Sequence, residues 1–274
     1  MKRNVLLIFL FQLIFMPMLA QMEYPIMGQY KKKSAQGMAI NGDYAYLFND
    51  GGLCRKLNLL TGKVVGEFML ESAAKTTHVN SACFSTHYVE GYSDPAIYIT
   101  EFYGKRRCFV EVIGGDSSKL VQTIEYKDTQ GKNPFVRAWI VDNKEKKLYA
   151  VIREKNREKS NVIKQFPLPK LSAGREIVLT ENDVLDKFTV DFVNGVQGGK
   201  IKDDKIYLTV GFSSVQGKGE YFDRAIKVID LKKKKLIQSI DLTKVTVNEP
   251  EDIDYYNGKC LLFAGGTGGI YIVY

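Results

Sequence analysis

Histidine occurs only twice in this chain, as His78 and His87. An imidazole-built zinc site needs three or four converging ligands, and His87 falls in an expected loop, so that chemistry is excluded. Cysteine occurs four times, at Cys54, Cys83, Cys108 and Cys260, with no CxxC spacing. Four cysteines allow three connectivities, and an exported chain can hold disulfides. Yet each cysteine falls in or beside an expected strand without a histidine partner, which favours buried free thiols. Metal-thiolate chemistry and a cysteine nucleophile are left without support. Tryptophan occurs once against sixteen tyrosines and fifteen phenylalanines, a balance that suits strands.

Long apolar runs are equally scarce. Residues 1–20 form the one such run: Lys2 and Arg3, then Val5 to Phe15 apolar except for Gln12, then Pro17 and Ala20. This is the order of a secretory signal, with the mature chain expected to begin at Gln21. Met18 stands at the −3 position, where a small residue is usual, so the alternative is a retained N-terminal anchor. No cysteine at the cleavage region offers a site for a lipid. No other stretch is long and apolar enough to span a bilayer, so the mature chain is expected not to insert in a membrane and to be extracytoplasmic. Losing the signal lowers the net charge from +8 to +6. The remaining positive charges are scattered in turns, at residues 31–33, 144–147, 153–159 and 232–235. Nucleic-acid binding would need them on one face with aromatic platforms, so no nucleic acid partner is expected. Lysines at turns and edges guard sheets against aggregation.

What the chain does have is a repeated strand–turn–strand unit. It reads QGMAINGDYAYLF from Gln36, QGGKIKDDKIYLTVG from Gln197 and EDIDYYNGKCLLF from Glu251. Further turns and alternating strands follow each copy, such as Leu53 to Asn58 and Val64 to Leu70 after the first. Four strands joined in a meander make a propeller blade. Two further starts, at Asn80 and Arg137, complete a series with spacings of 44, 57, 60 and 54 residues. Repeat three is the least regular: its fourth strand is expected at Glu176 to Leu179, followed by one helical turn over Glu181 to Lys187. Repeat five lacks one strand, and Met22 to Tyr30 is one strand too many. Pairing that strand with Gly269 to Tyr274 would close the ring. The expected fold is thus all-β, a five-bladed β-propeller occupying residues 21–274 as one domain, and a monomer. Six or seven blades, a β-sandwich or two stacked β domains are the alternatives.

The motifs QGMAINGDYAYLF, HVNSACFS, QGGKIKDDKIYLTVG and EPEDIDYYNGKCLL together resemble a group of extracytoplasmic five-bladed propellers. These are the propellers of teichoic-acid-biosynthesis C type proteins and of related phage receptor-binding proteins. Residues 58–64, NLLTGKV, are similar to the D-x-x-T-G-K-V segment of bacterial glutaminyl-peptide cyclotransferase, without its Asp. EPED resembles blade starts in gluconolactonase-like and phytase-like propellers, which implies channel carboxylates and amides that hold calcium or another divalent ion.

The first position of each repeat is polar: Gln36, Asn80, Arg137, Gln197 and Glu251. The innermost strand of a blade lines the central channel, so these five are expected to meet at one mouth. His78 and Glu249 lie two residues ahead of Asn80 and Glu251 and share their faces if extended. Amides, one fixed cation and two carboxylates suit a polar small molecule, glycan or peptide. The same residues can instead only bond one another and water. Calcium wants six to eight oxygens, whereas Glu249, Glu251 and Asp252 alone offer charge and Arg137 opposes a cation. No metal or other cofactor is therefore expected from the residues, calcium resting on the resemblance alone. Ser85 beside His87 makes no triad. Gly265 to Gly269 opens a strand, where a phosphate loop opens a helix. Three functions stay open: a binding module; a hydrolase, lyase or cyclotransferase using Glu249 or Glu251 as acid–base with Arg137 or His78 stabilising charge; and a protein-interaction scaffold.

Overall fold

A computed structural model describes residues 22–24, 35–76, 78–154, 159–193, 195–212, 223–265 and 269–274. The chain opens with β1 (Met22–Tyr24). Blade one is β2 (Ala35–Asn41), β3 (Tyr44–Asn49), β4 (Leu53–Asn58) and β5 (Lys63–Met69). Blade two runs β6 (Val79–Phe84), β7 (Ile97–Glu101), β8 (Cys108–Gly114) and β9 (Ser117–Tyr126). Blade three starts with β10 (Phe135–Asp142), β11 (Lys147–Arg153) and β12 (Ser160–Pro167). Next in chain order come β13 (Glu176–Leu179) and β14 (Asp186–Asp191). Blade four is β15 (Val196–Lys202), β16 (Lys205–Val210), β17 (Ala225–Asp230) and β18 (Lys235–Asp241). Blade five is β19 (Pro250–Tyr256), β20 (Lys259–Ala264) and β21 (Gly269–Ile272), completed by β1.

The molecule is a five-bladed β-propeller. The inner strands β2, β6, β10, β15 and β19 touch in order, and β19 returns to β2. Closure is as the sequence predicts: β1 pairs antiparallel with β21, Met22 opposite Tyr271 and Tyr24 opposite Ile270. Residues 25–30 of the expected strand, and the expected signal, lie outside the described residues.

Blade three departs from expectation. Glu176–Leu179 is not its outer strand but a parallel fifth strand on β9 of blade two, with Glu176 opposite Thr123. The outer strand is β14, which pairs with β12. Its DKFTVD alternation was a usable signal, masked by the helical turn expected over Glu181 to Lys187. That turn is a 3-10 turn of three residues, Glu181–Asp183, capped by Thr180 and ended before Asp186. Thr180 Oγ1 donates to Asp183 Oδ2 at 2.8 Å, and this capping box stops the chain between two strands.

Hydrophobic cores fill the five gaps between consecutive sheets. Tyr46, Phe48 and Phe84 pack between blades one and two, and Trp139, Tyr126 and Phe166 between two and three. Leu208 and Val151 serve gap three–four, Ile253 and Val228 four–five, Leu47 and Phe263 five–one. Tight hairpins hold the register. Asn257 and Gly258 both take positive φ, 47° and 80°, the type I′ geometry matching strand twist. All four cysteines are free and buried.

Candidate functional site at the channel mouth

Each inner strand carries a register shift at its start. The shifts fall between Ala35 and Met38, Val79 and Ala82, Val136 and Ala138, Val196 and Gly198, and Pro250 and Asp252. Gln36, Asn80, Arg137, Gln197 and Glu251 each lie inside one. A bulge inserts an extra residue and re-aims side chains, so the five first positions are structurally equivalent around the ring. All five are buried.

Their contacts converge. Asn80 Nδ2 donates to Gln197 O at 2.7 Å and to Arg137 O at 3.4 Å, joining blades two, three and four. This approach requires bare backbone. A Cβ on Gly37 would sit 2.3 Å from Asn80 O, and one on Gly198 would sit 2.6 Å from Glu251 O. Deeper on the axis, Asp252 Oδ2 accepts from Met38 N at 3.1 Å and Ala82 N at 2.9 Å. Burial pushes Asp252 up to about 8 although three backbone N–H groups hold it down. Beyond it, Asp254 Oδ2 accepts from Lys200 Nζ at 2.8 Å and Ile40 N at 2.9 Å. The axis is thus filled at three levels.

One side of the mouth is acidic. The Gln197 side-chain amide donates to Glu249 Oε1. Burial pushes Glu249 up to about 7, with that amide holding it down. Glu251 is raised well above the carboxylate range, first by burial and then by Glu249, Asp252 and Asp50. Its Oε2 is shielded from solvent with no hydrogen-bond partner among the described residues. A Cβ on Gly265 would lie 2.1 Å from Glu251 Oε1, so a side chain there would displace the carboxyl.

The opposite side is aromatic. His78 Nε2 lies 3.3 Å from Gln36 Oε1. The His78 ring meets Tyr103 edge-on at 5.0 Å and Phe102 at 5.2 Å. The Arg137 guanidinium lies 4.5 Å from the Phe135 centroid and 5.1 Å from that of Phe102. Tyr103 is 51% exposed beside this cluster.

The seven residues singled out in the sequence therefore occupy three parts of one mouth: Gln36 and His78 as a pair, Gln197, Glu249 and Glu251 on the acidic side, and Asn80 and Arg137 between blades. Asn80 spends its amide donors on main-chain carbonyls, which makes it a strut of the floor. Sequence reasoning missed Tyr103, Phe102 and Phe135. They sit in or beside turns, where no periodicity marks a direction, although the FY pair after a strand end was a cue. Simple strand alternation would set Asp252 and Asp254 on the face opposite Glu251. The bulge breaks that alternation and turns Asp252 to the axis. Among the described residues, no group of three His, Cys, Asp or Glu side chains is placed to hold a metal ion.

No family model and no curated protein matches the chain. Among solved structures it is similar to the glutaminyl cyclase of Myxococcus xanthus, with a TM-score of 0.51 and 13% identity over 92% of this chain and 91% of that one. It is also similar to Kuenenia stuttgartiensis hydrazine synthase, TM-score 0.44 and 10% identity, covering 84% of this chain and 61% of that chain. The Swd1 β-propeller domain of Myceliophteria thermophila gives a TM-score of 0.44 and 12% identity over 87% of this chain and 82% of that domain. The cyclase likeness agrees with the five-bladed propeller read from the strands. Among the described residues no helix is long and apolar enough to cross a membrane.

Proposed function

We propose that this chain is an exported binding module whose channel mouth takes a polar ligand: a glycan, a peptide or a surface polymer. The observation that carries the reading is the exposed Tyr103, braced edge-on by His78, next to the Gln36 amide. A rigid aromatic face beside a few oriented polar groups is how concave sites hold polar ligands with apolar faces. Arg137 is the fixed cation of the mouth, which suits a neutral ligand or one bearing a carboxylate. The reading includes removal of residues 1–20, a single domain over 21–274, an extracytoplasmic location, a monomeric state, and kinship with the teichoic-acid-type and phage receptor-binding propellers. The test is a thermal-shift screen of the mature protein with neutral oligosaccharides and short peptides. Binding to the native state alone raises Tm, so a probe class with a dose-dependent rise supports the reading, and flat curves throughout oppose it.

A second reading is favoured by Glu249. A partly accessible carboxyl pushed up to about 7 can take and return a proton near neutral pH, as an acid–base catalyst must. The cyclase neighbour makes peptides with an N-terminal glutamine the first substrates to try. Ammonia release that vanishes in Glu249→Gln would move the protein to the enzymes. No release at high protein concentration would leave the binding reading alone.

A further inference from the structure

A cavity of about 700 Å³ opens between blades two and three, off the axis, lined by Arg106, Lys132 and Arg153 against Asp128, with Phe135 as its apolar wall. We propose that this groove is an anion site, taking a ligand that carries two or more phosphate or carboxylate groups. Two consecutive arginines carry the inference. Arg107 is fully paired: its Nε lies 2.9 Å from Glu101 Oε2 and its Nη2 2.8 Å from Glu101 Oε1. Arg106 has no ion pair among the described residues, and its Nη1 is shielded from solvent without a hydrogen-bond partner. Arg106 as a whole is half-buried and lines the cavity, so its guanidinium meets that space with no carboxylate among the described residues already holding it.

The fold goes to some length to place it. Arg106 adopts a φ of 60°, a left-handed conformation unusual for a long side chain. Its carbonyl accepts from the indole Nε1 of Trp139 at 2.9 Å, which fixes that turn to the core. The guanidinium then stacks 3.9 Å from the Phe135 centroid. Asn133 Nδ2 donates to Lys105 O at 2.8 Å, tying the second wall of the groove to the first. Asp128 contributes negative charge, but its Oδ1 accepts the N–H groups of Gln130 and Lys132 at 2.9 Å within its own turn. Arg153 and Lys132 have no ion pair among the described residues. Two guanidinium forks facing one cavity match oxyanions, because each fork binds such a group through two parallel N–H donors.

Calorimetric titration of the mature protein with pyrophosphate and, separately, with citrate tests this and distinguishes phosphate from carboxylate ligands. Saturable binding of at least one probe, one per chain and weakened by added salt, is expected. Arg106→Gln and Arg153→Gln should each lower that affinity at least tenfold. Arg153 lies at a strand end outside the core, so Arg153→Gln should keep the wild-type Tm and remains informative if Arg106→Gln misfolds. Lys63→Gln, which removes one positive charge from distant blade one, should leave affinity unchanged. No saturable binding of either probe overturns the proposal. Equal affinity in wild type and Arg153→Gln also overturns it, as does equal loss in Lys63→Gln.

Discussion

The side-chain amide of Asn80 in blade two donates to the main-chain carbonyl of Gln197 in blade four at 2.7 Å, across the propeller axis. A longer bond from the same amide to Arg137 O, at 3.4 Å, takes in blade three between them. Asn80→Ala leaves two buried carbonyls short of a donor, which costs about 1–3 kcal/mol of stability. For a domain of this size that lowers Tm by roughly 2–10 °C. Thermal denaturation checks it, and an unchanged Tm contradicts the strut assignment.

Glu249 gives a pH signature of defined sign. Its folded-state value, pushed up to about 7, exceeds the ordinary value of about 4.3 for an unfolded chain. The folded protein therefore holds this proton more tightly. The associated stability is whole below about pH 4.3 and is lost as pH rises through about 7. Glu249→Gln removes the term. Relative to wild type the variant should become progressively more stable as pH rises from about 4.3 to about 7, by up to roughly 4 kcal/mol. Parallel stability–pH curves for the two proteins would contradict the raised value.

Ring closure by β1 can be broken without touching the core. A chain that starts at residue 25 loses the partner of β21 and leaves a hydrogen-bonding edge on blade five. Unpaired edges recruit other edges, so the truncated protein should self-associate or melt at a lower temperature. Light scattering together with thermal denaturation reads both outcomes. A monomer with wild-type Tm would show that closure contributes nothing.

The cysteines should be silent until the protein unfolds. Burial pushes Cys83 and Cys260 up to about 11, and Cys54 and Cys108 well above the usual thiol range. A thiol reagent should find essentially none in the native protein and all four in denaturant without reductant. Fewer than four under denaturing conditions would indicate a disulfide.

Much of the ring was legible because a propeller repeats its punctuation. The starts at Gln36, Asn80, Arg137, Gln197 and Glu251 fall in the same bulge of five successive inner strands, and the spare strand at Met22 finds the gap left in blade five. Blade three was misread where tertiary context overrode local pattern. Glu176–Leu179 has a strand's sequence, but which sheet it joins depends on the exposed edge of β9, which no local signal reports. The mouth was legible only in part. Equivalent strand positions can be aligned from sequence, whereas Tyr103 and Arg106 are aimed by turn geometry and by a hydrogen bond from Trp139, a partner 33 residues further along the chain. Shifted titration likewise follows from burial, and the sequence carries no sign that Glu251 would be sealed and Glu249 left near the surface.

The proposed binding of a polar ligand at the mouth rests on Tyr103 and Arg137. The most direct measurement is calorimetric titration of the best oligosaccharide or peptide from the thermal-shift screen into wild type, Tyr103→Ala and Arg137→Ala. Tyr103 is exposed, so its truncation should leave Tm within about 1 °C of wild type, as surface changes usually do. Binding should fall at least tenfold in both variants. Undiminished affinity in Tyr103→Ala and Arg137→Ala, with both folded, would place the ligand elsewhere on the protein.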